Sequence, residues 1–511
     1  MAPILEARNL TKRFPGVVAL NEVTFDLQPG EVHALCGENG AGKSTLIKTL
    51  SGIHPFGSYE GEFRVRGEPA RFRTLKDAEA AGLAVIYQEL ALVEEMSVAE
   101  NIFLGHEPRR GPLVDWDAAY AQAAKLLAEF QIEIDPDLKV RELGVGQKQL
   151  IEIVKALGKK SQVLILDEPT AALAESEVAI LLRILRDLRT SGVACIYISH
   201  KLGEVKAIAD RITVLRDGSS ITTLVAAQVE IPDIIRHMVG REIKELFPRD
   251  RTQPVGETLL KVNNLSVAPS AGEPARLKDV TFEVRAGEVL GIGGLMGAGR
   301  SELLLHLFGA WGARQSGDVR LGSESDPAPE PRDSIHRGLV MVTDDRKRYG
   351  LLLEQPIGFN LSLSSLEKVT QGGLVDEVQE ARLNQKFFDA LRVKAPGLDV
   401  AVGGLSGGNQ QKVVIGKALM TEPRVVFLDE PTRGIDVGAK LEVYQLINRL
   451  TADGKAVVLV SSELPELMGM SDRILMLHEG QVGGMFLPSE FTQEALLAAA
   501  MGSKPKTDLC N

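Results

Sequence analysis

Gly37-Glu38-Asn39-Gly40-Ala41-Gly42-Lys43-Ser44 returns later in the chain as Gly294-Leu295-Met296-Gly297-Ala298-Gly299-Arg300-Ser301, with arginine in place of lysine. The first stretch satisfies G-x-x-x-x-G-K-[ST] in full. Its glycines let backbone N–H groups converge on phosphate oxygens, and the helix that follows points the positive end of its dipole at them. Each copy follows an apolar run, Val32 to Cys36 or Val289 to Ile292, and opens a helix. The reading is therefore strand, phosphate loop, helix, twice over. Lys43 and Arg300 stand 257 positions apart (300 − 43 = 257), which indicates two duplicated domains rather than a solenoid with its period of roughly 20–50 residues.

The repeat extends outward from the loops. In each half a more variable helical segment follows the loop helix. Apolar runs then end in an acidic pair, Val163 to Asp167 with Glu168 and Val425 to Asp429 with Glu430, each followed by Pro-Thr. A further apolar run comes next, Ala194 to Ile198 or Ala456 to Val460. Short apolar strands alternating with helices predict an α/β fold, a parallel sheet covered on both faces. The acidic pairs lie 262 positions apart (429 − 167 = 262), so only small insertions separate the halves. Phe247-Pro248-Arg249-Asp250-Arg251-Thr252-Gln253-Pro254-Val255-Gly256 is polar and rich in proline and glycine, as linkers are. The expected division is a first domain over 1–246, a linker over 247–256, a second domain over 257–503 and a tail over 504–511.

A chain of 511 residues suits two cores, and 25% charged with 44% hydrophobic residues is ordinary for a soluble globular protein. The net charge of −11 offers no global attraction for nucleic acid. No apolar run approaches the ~20 residues that cross a bilayer, and the first residues lack the basic and apolar regions of a signal peptide. Cys36, Cys195 and Cys510 are sparse and unclustered, which argues against a disulfide framework or a zinc site. Cys36 and Cys195 read as buried structural thiols.

The motifs carry the chemistry of a nucleotide. Lys43 would reach the β- and γ-phosphates, Ser44 would hold Mg²⁺, and Thr45 follows it. Asp167 ends an apolar strand, where a carboxylate can orient the metal through water. Glu168 is then placed to polarise an attacking water as general base. Gln88, after Val85-Ile86-Tyr87, is a candidate sensor of the γ-phosphate and the metal, though alone it reads as a surface glutamine. His200, after Ile196-Tyr197-Ile198-Ser199, is a candidate γ-phosphate contact, though a lone histidine is more often structural.

Leu405-Ser406-Gly407-Gly408-Asn409-Gln410-Gln411 resembles the signature motif of ATP-binding-cassette ATPases, and with the loops and acidic pairs the resemblance covers essentially the whole chain. It implies two tandem nucleotide-binding domains, each with a P-loop parallel-sheet core, an antiparallel β subdomain and a helical subdomain, using ATP and Mg²⁺. In that family the halves pair head to tail, and each ATP lies between one half's loop and the other half's signature. Site one would then combine Gly37 to Thr45 (Gly37, Glu38, Asn39, Gly40, Ala41, Gly42, Lys43, Ser44, Thr45), Gln88, Asp167, Glu168 and His200 with Ser406, Gly407 and Gly408. A helix N-terminus presenting a hydroxyl and amides to an anion is sound chemistry. Phe14 stands where the family stacks an aromatic on adenine; a core phenylalanine is the other reading.

Site two would combine Gly294, Gly297, Gly299, Arg300, Ser301, Asp429 and Glu430 with Leu143-Gly144-Val145-Gly146-Gln147, in which glycine replaces the signature serine. Arginine is a planar fork and lysine a compact point charge, so that exchange is not conservative. Asp344 and Asp345 occupy the region of Gln88's counterpart, Glu463 replaces the histidine at an offset of 263 (463 − 200 = 263), and Ala271 stands at the offset from Phe14. Ala174 departs from the aspartate that Asp436 keeps. Site one is expected to hydrolyse ATP and site two to bind nucleotide with little or no turnover.

The Arg300 substitution, Asp345-Arg346-Lys347-Arg348 and Ser461-Ser462-Glu463 resemble the fused tandem ATPases of bacterial monosaccharide importers. Gly57-Ser58-Tyr59-Glu60-Gly61-Glu62 and Ala194-Cys195-Ile196-Tyr197-Ile198-Ser199-His200-Lys201 resemble the D-xylose branch of that group. The resemblance implies membrane permease subunits as partners, an indirect periplasmic sugar-binding protein, no nucleic acid, and a peripheral place on the cytoplasmic face of the inner membrane. The stretch from Gln88 to Leu113 is the expected permease contact. Ribose, galactose or arabinose is the alternative cargo. A tandem cassette acting on ribosomes or DNA is the alternative class, disfavoured by the short linker, the unclustered cysteines and the degraded second site.

Overall fold

The computed structural model describes residues 2–87, 91–158, 161–170, 173, 175–199, 201–240, 246–251, 255–325 and 330–502, the side chains of 175 and 176 excepted. Two compact units divide the chain, Met1–Ile243 and Lys244–Asn511.

In the first unit the run Val32–Cys36 is buried at all five positions, so it must be covered on both faces. Ala194–Ile198 and Arg211–Arg216 pair with it in parallel on either side. The six-stranded sheet runs Leu83–Ile86, Val163–Asp167, Ala194–Ile198, Val32–Cys36, Arg211–Arg216, Ser219–Val225, and only the last strand is antiparallel. Register places Asp167 and Leu35 both beside Ile198, so the loop strand and the acidic strand end at one edge of the sheet. Ligands of open α/β sheets bind outside these carboxyl ends. A four-stranded antiparallel sheet, ordered Val17–Leu27, Leu5–Phe14, Glu60–Val65, Glu68–Pro69, packs Leu5, Leu10, Phe25 and Phe63 into the same core as Leu35, Leu46 and Ile165. Helices Val98–Phe103, Trp116–Glu129 and Val145–Gly158 pack together as the helical part.

The second unit repeats this order strand for strand. Its sheet runs Leu339–Val342, Val425–Asp429, Ala456–Val460, Val289–Gly294, Arg473–His478, Gln481–Phe486, with the antiparallel sheet Leu277–Arg285, Thr258–Ala268, Ala313–Leu321, Glu324–Ser325. Even the strained positions recur: Asn9 and Asn264 are left-handed (φ 50° and 46°) at the same bulge of the first strand.

Part of the stretch expected to be a linker packs onto the second unit. The Arg249 side chain is 2% exposed and pairs with Asp472 at 2.6 Å. It also donates to Asn448 Oδ1 at 3.0 Å and Thr451 Oγ1 at 2.8 Å, and Phe247 stacks near Tyr444. Thr252, Gln253, Pro254 and the tail beyond 502, with Cys510, lie outside the described residues. Cys36 and Cys195 are buried thiols, both pushed up to about 12 by burial. Among the described residues no helix is long and apolar enough to cross a membrane.

Candidate nucleotide sites

The first loop turns from Cys36 into the helix Lys43–Leu50 through Gly42, whose φ of 100° is a left-handed conformation that a side chain resists. A Cβ there would also lie 2.7 Å from the carbonyl oxygen of Ala19. Lys43, 9% exposed, points back into the loop and donates to the carbonyls of Gly37 at 2.8 Å and Glu38 at 2.9 Å. Ser44 is exposed at the mouth of the loop and Thr45 is half-buried behind it. Glu38 is half-buried, Asn39 and Gly40 are exposed, and Ala41 is buried.

Asp167 ends its strand half-buried. Burial raises its pKa first and Glu168 next, while Lys43 pulls it down. Glu168 follows with φ 49°, left-handed for a residue with a side chain, and its amide is held by Ile198 O at 3.0 Å. Such strain at a strand end persists only where the surroundings fix it. Part of that support was not read from the sequence. Glu204 accepts from Thr170 Oγ1 at 2.7 Å and from Tyr197 OH at 2.8 Å, and lies 3.3 Å from Lys201. The carboxylate thereby ties the Pro-Thr turn after Glu168 to the segment after position 200. In the second unit Glu466 accepts from Thr432 at 2.7 Å and Tyr444 at 2.8 Å. The recurring Pro-Thr was the available signal. Tyr197 and Tyr444 come from a strand and a helix, so no repeat pattern links them.

Phe14 is 41% exposed, edge-on to His54 at 5.5 Å, with the Lys12 ammonium 5.3 Å from its ring. It is not a core phenylalanine. Gln88, His200 and Ala174 lie outside the described residues.

The second loop keeps the backbone and changes the side chain. Gly297 and Gly299 are left-handed at φ 77° and 100°. Arg300 does not fold back on its loop. Its guanidinium reaches the next strand end, donating to Ser461 O at 3.0 Å, and lies 3.7 Å from the Glu430 carboxylate, which also accepts from Ser462 Oγ at 3.1 Å. Glu430 shares the left-handed backbone of Glu168, with φ 47°. Asp429 is 1% exposed. Burial pushes it up to about 7, with Asp344 and Glu430 adding repulsion against the hydrogen bond from Ser301.

Two offsets read from the sequence are corrected by the backbone. Lys201 and Glu463 each begin a helix and each donate their amide to a serine hydroxyl, Ser199 or Ser461, at 3.0 Å. Glu463 is thus the counterpart of Lys201, and Ser462 stands at the histidine's position. Glu463 itself pairs with Lys440 at 2.7 Å. The bulge shared by Asn9 and Asn264 fixes an offset of 255 (264 − 9 = 255), so Pro269, not Ala271, matches Phe14; neither is aromatic.

Ser406 caps the helix Gly407–Leu419; its hydroxyl accepts from no backbone amide of the first turn, and the Asn409 side chain donates to Ser406 Oγ at 3.0 Å. A Cβ on Gly408 would lie 2.7 Å from Ala439 Cβ. In the first unit the Gly144 amide is taken by Gln147 Oε1 at 3.0 Å, and Val145, 56% exposed, stands where Gly407 does.

The residues fit a magnesium nucleotide. The Gly42 turn leaves room only for backbone, an ammonium sits inside the loop, and a hydroxyl and a half-buried carboxylate lie at adjacent ends. In the second unit Asp429 Oδ1 is buried without a hydrogen-bond partner, an oxygen that a hydrated cation would satisfy. A phosphate loop between buried strand and helix and an Asp-Glu pair at a strand end of the same sheet, both present twice, with a glycine-led helix in the second unit, define two ATP-binding cassettes. The chain belongs to the ABC transporter family, whose profile matches residues 20–171 and 277–433. It is 53% identical to the xylose import ATP-binding protein XylG of Moorella thermoacetica, over 98% of this chain and 99% of that protein. To the XylG of Escherichia coli it is 46% identical, over 99% and 98%. A chain of the ribosome-bound archaeal Pelota and ABCE1 structure shares the fold, with a TM-score of 0.64, 20% identity, 97% of this chain and 82% of that one covered.

Proposed function

We propose that this chain is the ATP-hydrolysing subunit of a bacterial importer that takes up D-xylose. The carrying observation is the 46–53% identity to xylose import ATP-binding proteins over 98–99% of the chain, across both cassettes. The sugar itself need touch no residue here. Specificity would lie in permease subunits and a periplasmic binding protein, with this chain peripheral on the cytoplasmic face.

The hydrolytic site is assigned to the first unit's loop completed by the second unit's signature. Lys43 and the loop amides of Gly37 to Gly42 neutralise and orient the phosphates, and Phe14 stacks on the base. Ser44 and Asp167 would hold Mg²⁺, with Gln88 sensing the metal and the γ-phosphate. Bound Mg²⁺ supplies charge neutralisation on the phosphate oxygens. Glu168 takes the proton of the attacking water, His200 contacts the γ-phosphate, and Ser406, Gly407 and Gly408 donate to charge developing on it. The second site is assigned to nucleotide binding without turnover, because Glu430 is engaged by Arg300 and Gly144 brings no hydroxyl.

Uptake of labelled xylose, ribose, galactose and arabinose in cells with and without this chain tests the reading. Loss of xylose uptake alone is expected, restored by the wild type and not by Glu168→Gln. Loss of a different sugar keeps the importer and replaces its cargo; no loss of any sugar refutes the transport role.

A further inference from the structure

Between the strand Leu339–Val342 and the helix Ile357–Ser362 the second unit is three residues longer than the first. The strands Leu83–Ile86 and Leu339–Val342 stand at an offset of 256 (339 − 83 = 256) by their pairing with the acidic strands. Asn101 and Asn360, which accept from the amides of Val93 and Leu352, stand at 259 (360 − 101 = 259). The extra residues build a single π-helical turn, Arg346–Gly350. Such turns recur at functional sites. The first unit's shorter stretch, Gln88-Glu89-Leu90-Ala91, holds no arginine.

Arg346 uses its fork to join two elements. Nη1 donates to Arg433 O at 3.1 Å, on the turn after Glu430, and Nε donates to Gln410 Oε1 at 3.4 Å, in the first turn of the signature helix. The guanidinium lies against Gly407 itself, where a Cβ would come within 2.8 Å of Nη2. Burial lowers its pKa, with Asp345 opposing. The far end of the turn is fastened to the same helix, because Lys417 Nζ donates to Gly350 O and a Cβ on Gly350 would lie 3.1 Å from Val414. A rigid guanidinium bridging two carbonyl-bearing elements sets the angle between them in a way that a flexible ammonium does not.

We propose that Arg346 is a positioning residue for hydrolysis: it locks the signature turn Ser406-Gly407-Gly408 at a fixed angle to the turn after Glu430, so that the signature donors meet the γ-phosphate preformed. This rests on the reading that the second unit's signature completes the first unit's site. It assigns the three-residue insertion to the unit whose signature retains its serine. A donor displaced by about 1 Å costs on the order of 10²-fold in rate.

The test uses the full-length chain, reading kcat together with affinities for ATP and ADP by displacement of a fluorescent nucleotide. Arg346→Ala is expected to lower kcat by about 10- to 100-fold, keep ADP affinity within about twofold, and lose most of the preference for ATP over ADP. Ser406→Ala should give the same pattern. Arg346→Lys, which keeps the stem and loses the fork, should fall between wild type and Arg346→Ala. An unchanged kcat and ATP preference in Arg346→Ala, beside their loss in Ser406→Ala, overturns the proposal. So does a proportional loss of ATP and ADP binding in both Arg346 variants, which marks general loss of fold. Ser406→Ala without effect would instead remove the composite-site reading, and the role of Arg346 with it.

Discussion

Replacing the two strand-end glutamates one at a time separates the sites. Both have the same left-handed backbone and the same amide bond to the neighbouring strand, so glutamine at either position leaves the backbone turn in place. The side chains differ in surroundings. Glu430 lies 3.7 Å from the Arg300 guanidinium, and the two side chains are 12% and 14% exposed. At an effective dielectric of roughly 20, unit charges at that separation attract by about 4.5 kcal/mol. Burial raises Glu430 and Arg300 draws it down, so on the proposed reading weak basicity is not what would silence it. Its carboxylate is occupied, and freeing it against about 4.5 kcal/mol lowers turnover by roughly three decades at 1.36 kcal/mol per tenfold. Removing a working general base costs ~10²–10⁴-fold. Glu168→Gln should therefore lose at least about 100-fold of phosphate release, measured at steady state in permease-containing membranes, and Glu430→Gln less than about twofold. Equal losses from the two substitutions would refute the reasoning, since they would mean that the Arg300 contact does not restrain Glu430.

Three other outcomes follow from the geometry. Asp429 sits at about 7 against an ordinary 3.8, so the fold favours its protonated form. Its contribution is complete below about pH 4 and lost as pH rises through about 7, worth up to about 4 kcal/mol at 1.36 kcal/mol per unit. In a Trp116→Phe background, where Trp311 against the second core reports that unit, Asp429→Asn in chelator should gain that much on the parent between pH 4 and pH 8; a pH-independent difference contradicts the shift. Arg249→Ala leaves the half-buried Asp472 without its main cation and should cost the second unit about 3–5 kcal/mol in urea unfolding, partly recovered by adding Asp472→Asn. Phe14→Ala, on an exposed ring, should raise the KM for ATP about three- to tenfold from lost stacking while leaving unfolding midpoints in place.

Much of the fold was legible because its strands are short apolar runs with hard stops. Val163 to Asp167 and Val425 to Asp429 begin after polar residues and end on a carboxylate, and the strands run over those same residues. The phosphate loops were legible because glycine is needed where φ turns positive. What escaped depends on side chains meeting across long stretches of chain. Arg249 reads as one charge in a polar proline-containing segment, and its partner Asp472 is 223 positions away. The repeat itself misled at two places. A constant offset cannot register a one-residue slip, so Glu463 was matched to His200, whereas the amide bonds to Ser199 and Ser461 count the register directly. Glu204 and Glu466 escaped for another reason: they and their threonines recur at one offset of 262 (466 − 204 = 262; 432 − 170 = 262), but each also needs a tyrosine, and that comes from a strand in one unit and a helix in the other.

The asymmetry between the sites comes from the reach of one side chain on a shared backbone. The loops turn through Gly42 and Gly299 at the same φ of 100°. A lysine at the next position is a compact charge, and Lys43 satisfies it on two carbonyls of its own loop. An arginine cannot fold into that space with five donors fixed in a plane. It extends until it finds acceptors, which are Ser461 O and Glu430. The other departures then follow as consistent choices. On the proposed reading, a signature serving a base held by a cation would have no developing charge to stabilise, and Gly144 carries no hydroxyl. The signature proposed to serve Glu168 keeps its serine, and the unit that carries it has an added arginine against Gly407.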